Sequence, residues 1–114
     1  IGPTVGYRLG HGHREETPRT RIWYVTVGYL VRFAAHAPEA LRRHTHLVID
    51  EVHERSVDHD VLVLLARRLL ATHPHLRVVL MSATLAGERL ASYFAQAGMP
   101  MPPVIFVGAR RFPV

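Results

Sequence analysis

Leu47-Val48-Ile49-Asp50-Glu51-Val52-His53-Glu54-Arg55 is the stretch of this 114-residue chain that carries the most chemistry. Three apolar residues run directly into two adjacent carboxylates, followed by a histidine and a Glu-Arg pair. A short all-apolar run reads as a strand buried on both faces of a parallel sheet. Burying two carboxylates is costly, so Asp50 and Glu51 belong at the strand's exit, where the carboxyl edge of such a sheet opens to a ligand. An Asp there can hold Mg2+, through an ordered water because Mg2+ sheds its hydration reluctantly. The Glu beside it can orient and deprotonate a water for attack on a phosphoryl group, a reaction that depends on positioning and charge stabilisation. The plainer reading is an acidic turn between a strand and a helix.

Two further groups could act with this pair. Ser82 and Thr84 follow the apolar run Arg77 to Met81, and their hydroxyls can reach across to the Asp-Glu loop or cap a helix. Thr26 and Gly28 stand at the expected start of a helix, where a hydroxyl and a close backbone approach suit a phosphate oxygen of a nucleic acid. Such contacts read the phosphate chain and not the bases, so binding is expected to be sequence-independent and salt-sensitive. The nine histidines include three His-x-His pairs, His11/His13, His44/His46 and His73/His75. That spacing on a strand makes a candidate metal chelate, but no cysteine or third ligand accompanies any pair, and solvated histidines are the simpler reading.

The elements that must position these residues follow from periodicity. Val5, Tyr7 and Leu9 alternate as a strand, His11 to Arg19 reads as a loop, and Arg21 to Thr26 reads as a second strand rich in β-formers. Residues 27 to 36 have a helical pattern with Leu30, Val31, Phe33 and Ala34 on the apolar side, and Pro38 opens a short helical turn through Arg43. After the central strand, Ser56 can cap a helix with Asp58 and Asp60 in its first turn. Its expected core face is Val61, Leu62, Leu65, Leu69 and Leu70, with Arg67 and Arg68 at the edge. The next strand, Arg77 to Met81, completes a strand–helix–strand unit with a parallel pair. Asp50-Glu51 and Ser82-Ala83-Thr84 are therefore expected at one sheet edge. Leu90, Tyr93, Phe94 and Ala97 form one stripe of a last helix that Gly98 can end, and Val104 to Val107 reads as a final strand.

Composition bounds the function. The chain is long enough for one core, 48% hydrophobic and only 20% charged, which fits a folded piece and not a disordered tail. Neither a membrane-spanning run nor a signal-peptide pattern is visible. Absence of cysteine excludes disulfides and thiolate metal sites and fits an intracellular setting, without separating nucleus from cytoplasm. The net charge of +5, carried by fourteen arginines and no lysine, favours polyanion partners, with compositional bias as the alternative.

Asp50-Glu51-Val52-His53-Glu54-Arg55-Ser56 with Ser82-Ala83-Thr84-Leu85 resembles motifs II and III of the DEAH/RHA helicases, in the Asp-Glu-Val-His spelling. Val5-Gly6-Tyr7-Arg8-Leu9 resembles that family's Val-Gly-Tyr-x-Ile-Arg segment, and Thr26-Val27-Gly28-Tyr29-Leu30 its Thr-x-Gly-x-Leu motif. Gly108-Ala109-Arg110-Arg111-Phe112-Pro113-Val114 resembles the exit from its first RecA-like domain. The matches come in family order and span almost the whole chain. Val27 departs from the polar or acidic residue many relatives carry, which leaves the backbone role at that position and puts a side-chain contact in doubt.

The resemblance implies an α/β, parallel-sheet RecA-like domain of the P-loop NTPase type, incomplete because the phosphate-loop strand and helix are missing. No Gly-x-x-x-x-Gly-Lys-Ser/Thr pattern exists here, nor any lysine to serve it. Residues 1–107 are then part of the ATP-binding domain, and 108–114 start a linker to a second RecA-like domain. That second domain would supply an arginine finger. ATP is the implied substrate, Mg2+ the implied ion, and RNA the implied polymer, with DNA as the alternative. His53 would contact the hydrolysis machinery and relay nucleotide state, and Ser82 and Thr84 would couple hydrolysis to strand separation. The isolated piece is expected to be inactive. The competing reading is a degenerate module kept as an RNA-binding or scaffold piece.

Overall fold

In the computed structural model, which describes residues 2–84, 87–96 and 98–108, the described residues form two sheets and three α-helices. The first half comprises β1 (Val5–Arg8), β2 (Arg14–Glu15), β3 (Ile22–Val25) and α1 (Val27–His36). A 3-10 turn at Pro38–Arg43 leads to β4 (His46–Ile49), another 3-10 turn at Val52–Glu54, α2 (Val57–Thr72), β5 (Arg77–Leu80) and α3 (Gly87–Ala95). These bounds match the periodicity closely, because each apolar stripe ends at a capping or turn residue.

The strands form two ladders where the sequence suggested one sheet. β1 runs parallel to β3, with Val5 opposite Ile22 and Arg8 opposite Val25, while β2 pairs antiparallel to β1. β4 and β5 form a separate parallel pair, from His46 opposite Arg77 to Ile49 opposite Leu80. β2 lies inside the stretch read as a loop. Its two residues have no strand pattern of their own and become strand only by pairing across from Tyr7 and Arg8.

Two other expectations change. Val104–Val107 makes no strand among the described residues; Ile105 and Phe106 are 80% and 83% exposed. β-branched composition does not make a strand without a neighbouring edge to bond. The central strands are also covered on one face only. Ile49 is buried and Leu47, Val78 and Leu80 pack against the core, whereas Val48 and Val79 are 55% and 44% exposed.

That core comprises Ile49, Val52, Leu62, Val63, Ala66 and Phe94, with Val27, Leu30 and Val31 of α1 packed against it. In α2 the buried residues are His59, Leu62, Val63 and Ala66, while Val61, Leu65, Leu69 and Leu70 are partly buried. The buried stripe is thus rotated from the leucine-rich face toward the one that meets β4 and α3. Arg67 stacks its guanidinium over the Tyr93 ring at 4.5 Å, which fastens α2 to α3. Gly98 follows α3 with φ of +76°, the left-handed conformation its position after a helix requires.

A polar cluster holds the first half together. Glu16 Oε2 accepts from Arg8 Nε at 2.9 Å, Arg8 Nη2 at 2.6 Å and Trp23 Nε1 at 2.9 Å. The Trp23 and Arg8 donors hold the Glu16 carboxyl below its ordinary range. A depressed carboxylate contributes stability that is present above its unfolded pKa and is lost as pH falls through the folded value. Glu16→Gln should therefore lower stability at neutral pH, and acid titration of both proteins by chemical denaturation should show the gap closing as pH drops below the ordinary carboxylate range. A gap independent of pH would show that shape and not charge is at work.

Candidate functional site

β4 and β5 end together, and their backbones are sewn around the two acidic residues. Met81 N–H donates to Ile49 O at 2.8 Å, and Val52 N–H donates to Met81 O at 3.1 Å. Asp50 and Glu51 lie between these two bonds and project from the ladder, both exposed, while Ile49 and Val52 on either side are buried at 2% and 4% exposure. This bracketing has a physical cause: the apolar neighbours anchor in the core, and the carboxylates remain in water where their charge costs nothing. Glu51 takes the left-handed conformation, φ 55° and ψ 35°, and its N–H donates to Asp50 Oδ1 at 2.8 Å. Arg55 has the same hand, φ 52°. Two left-handed residues that are not glycine make a tight, shaped loop at some conformational cost.

His53 connects the loop to the second strand's exit. Its Nδ1 accepts from Ala83 N–H at 3.3 Å and stands 3.2 Å from Glu51 Oε2. One ring nitrogen can serve only one of these at a time. Nδ1 without a hydrogen accepts the Ala83 amide, whereas an Nδ1–H would donate to the Glu51 carboxylate. The link between the two loops was expected from the hydroxyls of Ser82 and Thr84, and here the structure differs. Ser82 Oγ instead accepts from Thr84 N–H at 3.2 Å and lies 3.1 Å from Thr84 Oγ1, closing its own turn. The cross-link is made by a main-chain amide and a histidine.

Arg55 pairs with Asp60 and not with Glu54: Nε to Oδ1 is 2.9 Å and Nη2 to Oδ2 is 3.2 Å. The pair is exposed, so its worth lies in fixing the loop's exit against α2 more than in stability. Ser56 caps α2 by accepting His59 N–H at 3.2 Å, and the His59 ring returns to Ser56 Oγ at 2.7 Å. His59 was missed from sequence, although it occupies the third helical position, where a capping box places a Glu or Gln.

Asp50 suits a hydrated Mg2+. Glu51's amide occupies Oδ1, and Oδ2 meets no donor among the described residues. Mg2+ sites of this kind use one carboxylate plus waters and phosphate oxygens, so a single Asp is a sufficient protein contribution. Among the described residues no three His, Cys, Asp or Glu side chains gather as a metal-binding group, and the His-x-His pairs gain no third ligand.

Thr26 and Gly28 lie at the amino end of α1, away from this loop in sequence but linked to it through α2. The Thr26 side chain makes no capping hydrogen bond, and no acidic residue falls in the first turn of α1. A Cβ at Gly28 would stand 3.2 Å from Asp58 Oδ2, so the glycine admits a carboxylate from α2. Farther along α1, a cleft of about 720 Å3 is lined by Arg14, Tyr29, Arg32, Phe33 and His36 together with the His11–His13 loop. A second, of about 540 Å3, lies behind the motif loops between His53, Thr84, Arg89 and Tyr93. Arg110 and Arg111 lie outside the described residues. No described helix is long and apolar enough to cross a membrane.

An acidic pair projecting from a strand exit and tied to the next strand's exit is the arrangement by which an α/β sheet presents carboxylates to a ligand at its carboxyl edge. The comparisons agree with it. The chain is 39% identical over 99% of its length to the probable ATP-dependent RNA helicase spindle-E of Drosophila persimilis. It is 41% identical over 99% of its length to a putative DEAH-box ATP-dependent helicase of Mycosarcoma maydis, and 38% identical over 100% to the human putative ATP-dependent RNA helicase DHX57. The crystal structure of the Escherichia coli DEAH/RHA helicase HrpB matches 83% of the chain at 36% identity and a TM-score of 0.70. No protein-family profile matches. The chain is thus a relative of the DEAH/RHA-type helicases along its whole length. It spans only 8%, 7% and 8% of the three sequence relatives and 12% of the HrpB chain.

Proposed function

We propose that this chain supplies the hydrolysis and coupling motifs of an ATP-dependent RNA helicase. The observation that carries the reading is the bracketing of Asp50 and Glu51 by the bonds from Met81 and Val52, with His53 bridging to Ala83. In this reading Asp50 holds Mg2+ through water and Glu51 positions the attacking water. His53, Ser82 and Thr84 pass the state of that site to the strand exits. Bound Mg2+ supplies charge neutralisation for the β- and γ-phosphates of ATP.

Residues 1–107 form part of a first RecA-like domain, and 108–114 begin the linker to a second. A phosphate loop with its lysine and an arginine finger come from elsewhere in the longer protein. RNA engages Thr26 and Gly28 through its phosphates, and the basic, aromatic cleft along α1 gives that polymer a continuing path. The 114 residues by themselves do not turn over ATP.

The test is ATPase activity of the intact protein with and without single-stranded RNA. Hydrolysis stimulated by RNA, together with silence from the isolated piece, fits the reading. Absence of hydrolysis with RNA binding intact would replace it with a non-enzymatic RNA-binding module, and robust turnover by the 114 residues would refute the assignment of the phosphate loop elsewhere.

A further inference from the structure

We propose that Asp58 regulates the nucleic-acid contact at Thr26 and Gly28 by holding a carboxylate against the amino end of α1, where it competes with a backbone phosphate; this rests on the contact assigned above. Three observations meet here. The first turn of α1 has no acidic residue of its own, and Thr26 does not cap it, so the amides of that turn keep their attraction for an anion. An acidic group from another element lies beside that turn: a Cβ on Gly28 would stand 3.2 Å from Oδ2 of Asp58. Asp58 is exposed and, among the described residues, makes no hydrogen bond or ion pair; the nearby Arg55 is committed to Asp60.

A phosphate arriving at Thr26 and Gly28 meets that charge at short range. Either the polymer binds weakly, or Asp58 moves aside. Asp58 belongs to the first turn of α2, which begins at the Ser56 cap directly after the Asp50–Arg55 loop. Displacing its carboxylate therefore acts on the segment that fixes the loop's exit. Asp58 is a positioning residue in this account. It sets how tightly RNA is held and sits three residues after Arg55, at the start of the helix that follows the hydrolysis loop. Gly28 has a second reason to be glycine, since any side chain would push the carboxylate away.

The experiment compares the intact wild-type protein with Asp58→Asn and, as a control at an exposed carboxylate in the first turn of another helix, Glu88→Gln. Binding of a fluorescent mixed-sequence single-stranded RNA is measured by anisotropy at low and physiological salt, with ATPase read against RNA concentration. Asp58→Asn should tighten RNA binding about two- to fivefold, the size of a charge effect at a helix end, and most at low salt. The RNA concentration for half-maximal stimulation should fall in parallel. Glu88→Gln should do neither. Unchanged or weaker binding by Asp58→Asn, or equal tightening by Glu88→Gln, overturns the proposal and leaves the RNA contact standing. Failure of all three proteins to bind RNA overturns the contact and the proposal together.

Discussion

Glu51→Gln should abolish RNA-stimulated ATP hydrolysis in the intact protein while leaving ATP binding in place. The amide keeps the size of the side chain, and the backbone bonds that shape the loop do not involve it: Glu51 N–H goes to Asp50, and Met81 joins Ile49 and Val52. What is lost is a carboxylate able to take a proton from water, and with it the negative charge that faces His53 at 3.2 Å. Loss of a general base costs about 10²–10⁴-fold in rate, so turnover should fall by that factor and a filter-binding or fluorescence measurement of ATP affinity should barely change. Retained hydrolysis would remove Glu51 from the mechanism. Lost hydrolysis with lost ATP binding would mean that the substitution had collapsed the loop.

The second large effect is on stability. Ile49→Ala should cost about 3 kcal/mol, from the range that large-to-small substitutions in a core produce. Ile49 is 2% exposed, packs in the cluster with Val52, Leu62, Val63, Ala66 and Phe94, and donates no polar group to the site. Val48→Ala, one residue away, should cost less than about 0.5 kcal/mol, as an exposed substitution does. Denaturant unfolding of the two variants, with unchanged m values, measures both. Equal costs would mean that both faces of β4 are covered in the intact protein, and near-neutral costs for both would mean that this core does not form.

The contrast between those neighbours also marks where reading residues in order reaches its limit. The all-apolar spelling of Leu47-Val48-Ile49 identified a strand correctly and its burial on two faces incorrectly, because composition does not say what covers each side. α1 and α2 were legible, since helical spacing and the Ser56 cap are local properties. His59 was not, because a polar residue is buried here only through its bond to Ser56 Oγ. The meeting of the Asp-Glu loop with the Ser-Ala-Thr turn followed from strand–helix–strand topology alone. The atoms that make the link did not follow: a main-chain amide at Ala83 has no letter in the sequence, whereas the Ser82 and Thr84 hydroxyls drew attention and proved to serve their own turn. Glu51's left-handed backbone was equally hidden, because it arises from the bonds on either side of it.

The separation of the strands into two ladders bears on how the chain comes apart. Among the described residues no backbone ladder joins β1–β3 to β4–β5, and α1 packed on α2 is a principal bridge between the halves. Side-chain packing is short-ranged, so once those helices part, little transmits order from one half to the other. The β4–α2–β5 half carries the buried cluster, whereas the β1–β3 half depends more on the Glu16 polar cluster and the edges of that core. Parting α1 from α2 would also strip Val27, Leu30 and Val31 from the buried cluster, so hydrogen exchange in β4 and β5 compared with β1 and β3 would tell whether the two halves open together or separately.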